Sequence, residues 1–185
     1  MTKKIITTRD LCTIGVFAAI ITVVGLISIP IQPVPMTLQT FIIPFAGVVL
    51  GKKKGSLAAL IYVLIGMLGL PVFSGFKGGV GVLFGPTGGF ILSFPIMAWL
   101  AGFGAERGKS GLQNVTYTTV GTVSGTLTNY LCGVVMFSIV MPSSIKTAFL
   151  ACVLPFILLD TIKVVMAVAL GLSVKKILVK SKILR

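Results

Sequence analysis

The sequence predicts an all-α integral membrane protein: a bundle of six transmembrane helices with both termini cytoplasmic, forming a single domain over residues 1–185. Three observations lead there. The 185-residue chain is 56% hydrophobic and only 10% charged, with a mean hydropathy of +1.11, whereas soluble domains run at roughly 45–50% apolar and about 25% charged. Its apolar residues fall into six windows punctuated by glycine, proline and lysine. Its basic residues collect at alternate ends of those windows.

The windows are about 9–29, 38–51, 55–70, 87–104, 113–140 and 147–174. A helix needs about 20 residues to cross the hydrocarbon layer, so six helices and short loops use up the chain and leave no room for a separate catalytic or nucleotide-binding domain. The first window follows lysines, as a signal peptide does, yet it runs on too long and lacks a small-residue cleavage pattern. It is read as the first membrane helix. Between windows one and two, IPIQPVPM (29–36) carries three prolines, which cannot continue a helix. Lys52, Lys53 and Lys54 separate windows two and three, and GKKKGS (51–56) is read as a turn. PVFSGFKGGVGVLFGPTGG (71–89) is a long glycine-rich connection whose Pro86 and Thr87 mark the start of the fourth helix.

Orientation follows from charge. Lys3, Lys4 and Arg9, then Lys52, Lys53 and Lys54, then Arg107 and Lys109, then Lys175, Lys176, Lys180, Lys182 and Arg185 all fall on one side of a six-span topology. The other side has only Lys77 and Lys146. Cytoplasmic loops are the ones enriched in Lys and Arg. This asymmetry accounts for most of the net charge of +13 without a nucleic-acid partner, which would need a solvated basic surface interleaved with stacking groups; anionic lipid headgroups are attracted to that face instead. The two long irregular connections, 29–37 and 71–86, then both face outward. Irregular backbone at membrane depth must line a cavity or pack on protein, so they either roof an outward-opening pocket or are solvated connections.

With Asp10 and Glu106 at the cytoplasmic boundary, Asp160 is the one acid left in the membrane and Lys163 the one base. Three residues apart on a helix, they share a face. Fourteen residues past Lys146 and fifteen before Lys175, Asp160 is expected near the middle of the sixth helix. A charge at that depth costs roughly 2.5–3.5 kcal/mol on insertion scales. One reading is a self-satisfied bridge that locks the bundle; the other is a pair kept to meet a polar ligand. Buried pairs stabilise poorly compared with apolar replacements of similar volume, which favours the second.

In the fifth window Gly121, Gly125, Asn129 and Gly133 recur every four residues as one stripe. Small residues at that spacing let helices approach closely, so Asn129 is expected to face a neighbouring helix, as a ligand contact or as an interhelical hydrogen bond. Tyr130 and Trp99 are expected as apolar walls or interfacial anchors. Thr37 and Gln39 begin the second helix, where they either contact ligand or cap it. Gly15, Ala18, Ala19 and Thr22 form a small-residue patch on the first helix, for internal packing or for docking another membrane subunit.

The chain lacks GxxxxGK[ST], so it carries no nucleotide-hydrolysing loop. It has no histidine, no paired acids and no motif-bound nucleophile, so the parts of a hydrolase are missing. Cys12, Cys132 and Cys152 have no metal-ligand spacing and are read as small apolar residues; no cofactor or metal is expected. From the residues alone, a binding subunit, a standalone facilitator or proton-coupled carrier, and, more remotely, a membrane enzyme acting on a lipid-soluble substrate all stay open.

IQPVPMTLQTFIIPFAGVVLG (31–51), FSGFKGGVGVLFGPTGGF (73–90) and DTIK (160–163) resemble the BioY family, the biotin-binding S components of energy-coupling factor (ECF) vitamin transporters. The likeness spans nearly the whole chain. It implies a six-helix S-component fold in the cell membrane, and high-affinity capture of biotin, a transported ligand and not a cofactor, from outside. It implies partners too: a transmembrane coupling protein and two ATPase subunits that supply the energy. In such families the small-residue face of the first helix docks on the coupling protein, often through AxxxA; the matching positions here read Gly15 to Ala19. The DxxK element carries the substrate-binding role onto Asp160 and Lys163, and position extends it to Asn129, Gln39 and the turn at Gly78 and Gly79. Biotin offers two ureido N–H donors and a carbonyl, an apolar thioether ring and a valerate carboxylate. Asp160 suits the N–H edge; Lys163 suits either the ureido carbonyl or the carboxylate.

Overall fold

The computed structural model describes residues 7–31, 33–108 and 111–184. Of the basic residues that set the expected orientation, Lys3, Lys4, Lys109 and Arg185 lie outside the described residues. The fold is mostly helical. Helix α1 (Thr8–Gly25) starts from a capping box in which the Thr7 hydroxyl accepts from Asp10 N and the Asp10 carboxylate accepts from Thr7 N, satisfying two donors that the first turn leaves open. The proline-rich segment becomes a short antiparallel ribbon, β1 (Ser28–Ile29) with β2 (Met36–Thr37), in which Ser28 faces Thr37 and Ile29 faces Met36. Its prolines sit between the two paired segments, where no ladder bond is asked of them.

Helices α2 (Gln39–Leu50) and α3 (Lys52–Met67) reverse direction at Gly51, whose φ of +81° a side chain would strain. A Cβ added at Gly55 would lie 2.5 Å from the Gly47 Cα, so the pair packs backbone on backbone. After α3 the chain is irregular to residue 79. It then forms α4 (Val80–Leu83), α5 (Gly88–Leu92), α6 (Phe94–Arg107), α7 (Gly111–Val140), α8 (Ile145–Cys152), a 3₁₀ turn (Leu154–Phe156) and α9 (Ile157–Lys180). Helix α6 is central, packing on α2, α3 and α7; α9 closes against α2 and α7, and α1 against α3 and α2.

Two of the expected helices prove to be broken. Window 87–104 is interrupted at Ser93, between α5 and α6. Window 147–174 is interrupted at residues 153–156, where Pro155 lacks the N–H that a continuous helix needs. Asp160 therefore lies not at mid-helix but in the first turn of α9, where the helix dipole favours an anion. Among the described residues three stretches are long and apolar enough to cross a membrane: Thr8–Gly25, Gly111–Val140 and Ile145–Lys180, the last taking in α8, the 3₁₀ turn and α9. Gln39–Leu50 is apolar but shorter. Helices α2 and α3 are flanked, at 33–38 and 68–79, by non-helical chain plugged into protein through buried Val34, Val72 and Phe73.

One end of the bundle is basic and tightly cross-tied. Glu106 Oε1 accepts from Lys52 N at 2.9 Å, and its other oxygen pairs with Lys52 Nζ at 3.3 Å. Lys54 pairs with Asp10. Lys175 Nζ donates to the Ala105 carbonyl at 2.8 Å, and Arg9 donates to the Lys182 carbonyl at 2.6 Å. These bonds gather the start of α1, the α2–α3 turn and the ends of α6 and α9. Trp99 stacks on Phe103 with ring centroids 5.2 Å apart, and Lys52 and Arg107 lie over that Phe103 ring. Of the two expectations for Trp99, the apolar wall is corrected: its ring packs beside the basic end and does not line the cavity.

The small-residue patch of α1 is split by the helix geometry. Ala18 is buried together with Ile14, Phe17 and Ile21, whereas Gly15 and Ala19 are exposed. An added Cβ at Gly15 would meet nothing within 4 Å. Ala18 thus belongs to the interior and not to a docking face, because at about 100° per residue it lies about 80° off the line joining Gly15 and Ala19.

Candidate functional site

At the end opposite the basic cluster, the bundle encloses a cavity of about 210 Å³. The proline-rich segment supplies Val34 and Met36, the start of α2 supplies Gln39 and Thr40, and the 71–79 connection supplies Phe73 and Lys77. Phe90 of α5 and Phe94 of α6 add aromatic wall, α7 contributes Asn129 and Tyr130, and Phe156, Asp160 and Lys163 close the floor. Both irregular connections therefore line the same space. Most of the wall is apolar, with a few polar groups converging on it, the usual composition of a small-molecule site.

The polar floor is built from three helices. Asp160 Oδ1 accepts from Lys163 Nζ at 2.8 Å and from Thr40 Oγ1 at 2.8 Å; Oδ2 accepts from Tyr130 OH at 2.6 Å. Lys163 Nζ also donates to the Thr37 carbonyl at 2.7 Å and to Thr40 Oγ1 at 3.1 Å. The two charged side chains are 6% and 11% exposed. The pair is thus neither aimed at lipid nor closed on itself: it is braced by α2 and α7 and borders open space. A carboxylate oxygen can accept two hydrogen bonds, so Oδ2, with one donor, retains capacity.

Asn129 is fully buried. Its Nδ2 donates to the Phe90 carbonyl and to Ser93 Oγ, both at 2.8 Å. Its Oδ1 has no partner among the described residues. The helix break at Ser93 frees the groups that hold the amide's nitrogen edge, and so turns the oxygen edge into an unpaired acceptor on a cavity-lining residue. A buried acceptor left unmet costs roughly 1–3 kcal/mol, which a ligand N–H would recover.

Gln39 is held more firmly than capping alone requires. Its Nε2 donates to Tyr62 OH at 2.6 Å, Tyr62 OH donates to the Val72 carbonyl at 3.1 Å, and Gln39 Oε1 accepts from Thr37 Oγ1 at 3.2 Å. Thr37 Oγ1 in turn accepts from Gln39 N. Leu38 is the N-cap of α2, with no side-chain cap; Thr37 Oγ1 instead takes the N–H of the first helical residue, and both Thr37 and Gln39 line the cavity. Gly79 is placed elsewhere. It is absent from the cavity wall, sits at φ +95° before α4 and donates its N–H to the Gly66 carbonyl at 2.7 Å; its place is to seat the connection from behind.

Three contributors were not singled out as polar site residues in the sequence: Thr40, Tyr130 and Lys77. Thr40 lies one residue past Gln39, on the turn that faces α9. Tyr130 was expected as an apolar wall or an interfacial anchor, yet its hydroxyl meets the carboxylate. Lys77 stood out only as a cation on the sparsely charged side. Cys12, Cys132 and Cys152 are free, and Cys152 also lines the cavity.

The BioY family model matches residues 1–180. The chain is 41% identical to the biotin transporter BioY of Thermotoga maritima over 91% of its own length and 97% of that protein. It is 42% identical to the probable biotin transporter BioY of Pyrococcus horikoshii over 88% and 94%. Its fold superposes on a crystal structure of the S component for biotin from an ECF-type ABC transporter with a TM-score of 0.83, at 28% identity and 91% coverage of each chain.

Proposed function

The chain belongs to the BioY family, and from that premise we propose that it is the high-affinity biotin-binding membrane subunit of an ECF-type ABC importer. It takes biotin from outside the cell and delivers it with energy from a separate module. The role is transport and not catalysis, in keeping with relatives named as transporters. The observation that carries the reading is at the cavity wall and floor, where two acceptors lack a full set of donors, Asn129 Oδ1 and the second lone pair of Asp160 Oδ2. Biotin's ureido ring brings two N–H donors. The aromatic wall of Phe73, Phe90, Phe94 and Phe156 suits the apolar thioether ring and the alkyl arm.

In this reading Asp160 and Asn129 grip the ureido edge, Lys163 orients Asp160, and Gln39 fixes the rim between α2 and α3. With six spans, the basic end and both termini lie in the cytoplasm in this reading, and the cavity opens outward; the Lys and Arg asymmetry supports it. Gly15 and Ala19 form the exposed face of α1 that meets the coupling protein, which in turn binds two ATPase subunits. Purified chain titrated with biotin tests the reading: stoichiometric binding, with biotin found by mass spectrometry in the protein as isolated, supports it. No binding, or a different co-purifying molecule, refutes it. Uptake by vesicles that contain this chain alone would favour a standalone carrier instead.

A further inference from the structure

We infer that Lys77, and not Lys163, reads the carboxylate of the ligand; the inference rests on the biotin reading above. Three charged side chains line the cavity: Asp160, Lys163 and Lys77. An ammonium has three hydrogens to donate, and those of Lys163 are taken by the Thr37 carbonyl, Thr40 Oγ1 and Asp160 Oδ1. Its charge is also matched by Asp160 at 2.8 Å. Nothing of Lys163 is left for an anion unless the floor is dismantled. Lys77 Nζ has no hydrogen-bond or ion-pair partner among the described residues. The wall therefore carries a surplus of one positive charge, and it is on Lys77.

The position of Lys77 is set by the chain and not left to a loose loop. Phe73 N donates to the Lys77 carbonyl at 2.9 Å and Lys77 N to the Phe73 carbonyl at 3.3 Å, around a turn in which Gly75 and Phe76 both have positive φ. Phe73 is 1% exposed and fills the space that a Cβ on Gly66 would need, with a ring carbon 2.1 Å from it. On the other flank, a Cβ on Gly78 would lie 2.3 Å from the Leu70 carbonyl oxygen. Lys77 itself is exposed whereas Asp160 is buried, so one cation stands at the mouth and the acceptors at the floor. A ligand with N–H donors at one end and a carboxylate at the end of an alkyl arm matches that polarity. An exposed cation is screened by salt, so its contribution is moderate and falls with ionic strength.

The test compares biotin with biotin amide, which keeps the ring and arm but lacks the negative charge, by titration on the purified full chain. Wild type is expected to prefer the acid by about tenfold, the size of one hydrogen bond to a charged group, and less so in high salt. Lys77→Met is expected to bring the ratio of the two affinities to about one, and Lys77→Arg to keep the preference. A preference that survives in Lys77→Met, or a loss of both ligands by the same factor, overturns the assignment while the biotin reading stands. If wild type binds neither ligand, the biotin reading itself falls and takes this assignment with it.

Discussion

The stripe on α7 meets two different surroundings along its length. At Gly121 and Gly125 it lies flat on α6: an added Cβ would come within 2.5 Å of the Leu100 carbonyl oxygen and 2.8 Å of the Met97 carbonyl oxygen. Gly104 makes the reciprocal approach, 2.3 Å from the Tyr117 carbonyl oxygen. Four residues further on, at Asn129, the same face borders open space and an amide oxygen goes unpaired. The spacing is continuous, but the neighbour changes. Below Ser93 the seam partner is α6; beyond it the chain continues as α5, whose Gly89 again meets α7 closely, 2.1 Å from an added Cβ to the Cys132 carbonyl oxygen, so the cavity opens beside Asn129 between two close approaches. Tight glycine packing at the basic end gives the rigid frame against which a cavity can stay open at the other.

The largest effect is expected from Asp160→Asn. Stranding one partner of a desolvated contact costs about 2–5 kcal/mol of binding, so biotin affinity should fall by well over tenfold in a titration. Thermal stability should fall as well, because Lys163 is left buried without its counter-charge. Adding Lys163→Met should restore stability but not binding; recovery of both would mean that the pair is only a structural brace.

Tyr130→Phe comes next. It removes one hydrogen bond to a carboxylate, about 1.5–3 kcal/mol, and should weaken biotin binding with little loss of folded protein. Gly121→Ala addresses the other region. Overpacking the seam should destabilise by about 1–3 kcal/mol, read as a lower unfolding temperature, while the folded fraction binds biotin as wild type does. A binding defect without a stability defect would erase the distinction between the two regions. Smallest of all, Gly15→Ala should leave both stability and biotin affinity within about 0.5 kcal/mol of wild type, since the new methyl group meets nothing.

Much of this was legible in the sequence for physical reasons. Asp160 and Lys163 are conspicuous because ionised groups in an apolar stretch need compensation, and the glycine stripe because backbone contact tolerates no side chain. The two irregular connections were legible as either a pocket roof or solvated segments, because lipid cannot satisfy their backbone. Other features needed coordinates. The break before Asp160 had a local signal, Pro155, but an X-Pro within an apolar run reads equally as a kink. Thr40 reaches Asp160 across 120 positions of sequence and Tyr130 across 30, and no local pattern announces such pairings. Ala18 turned inward where the patch on α1 promised a uniform face, since a run of small residues does not say which of them the neighbouring helices will cover.

The central claim is that open acceptors at the cavity floor hold the N–H edge of the ligand. Calorimetric titration with biotin and with an analogue methylated on both ureido nitrogens tests it most directly. Tight binding of biotin with one ligand per chain, and an affinity for the methylated analogue lower by about a hundredfold or more, twice the tenfold step of a single charged hydrogen bond on a logarithmic scale, is the expected result. Equal affinity for the two compounds would contradict it.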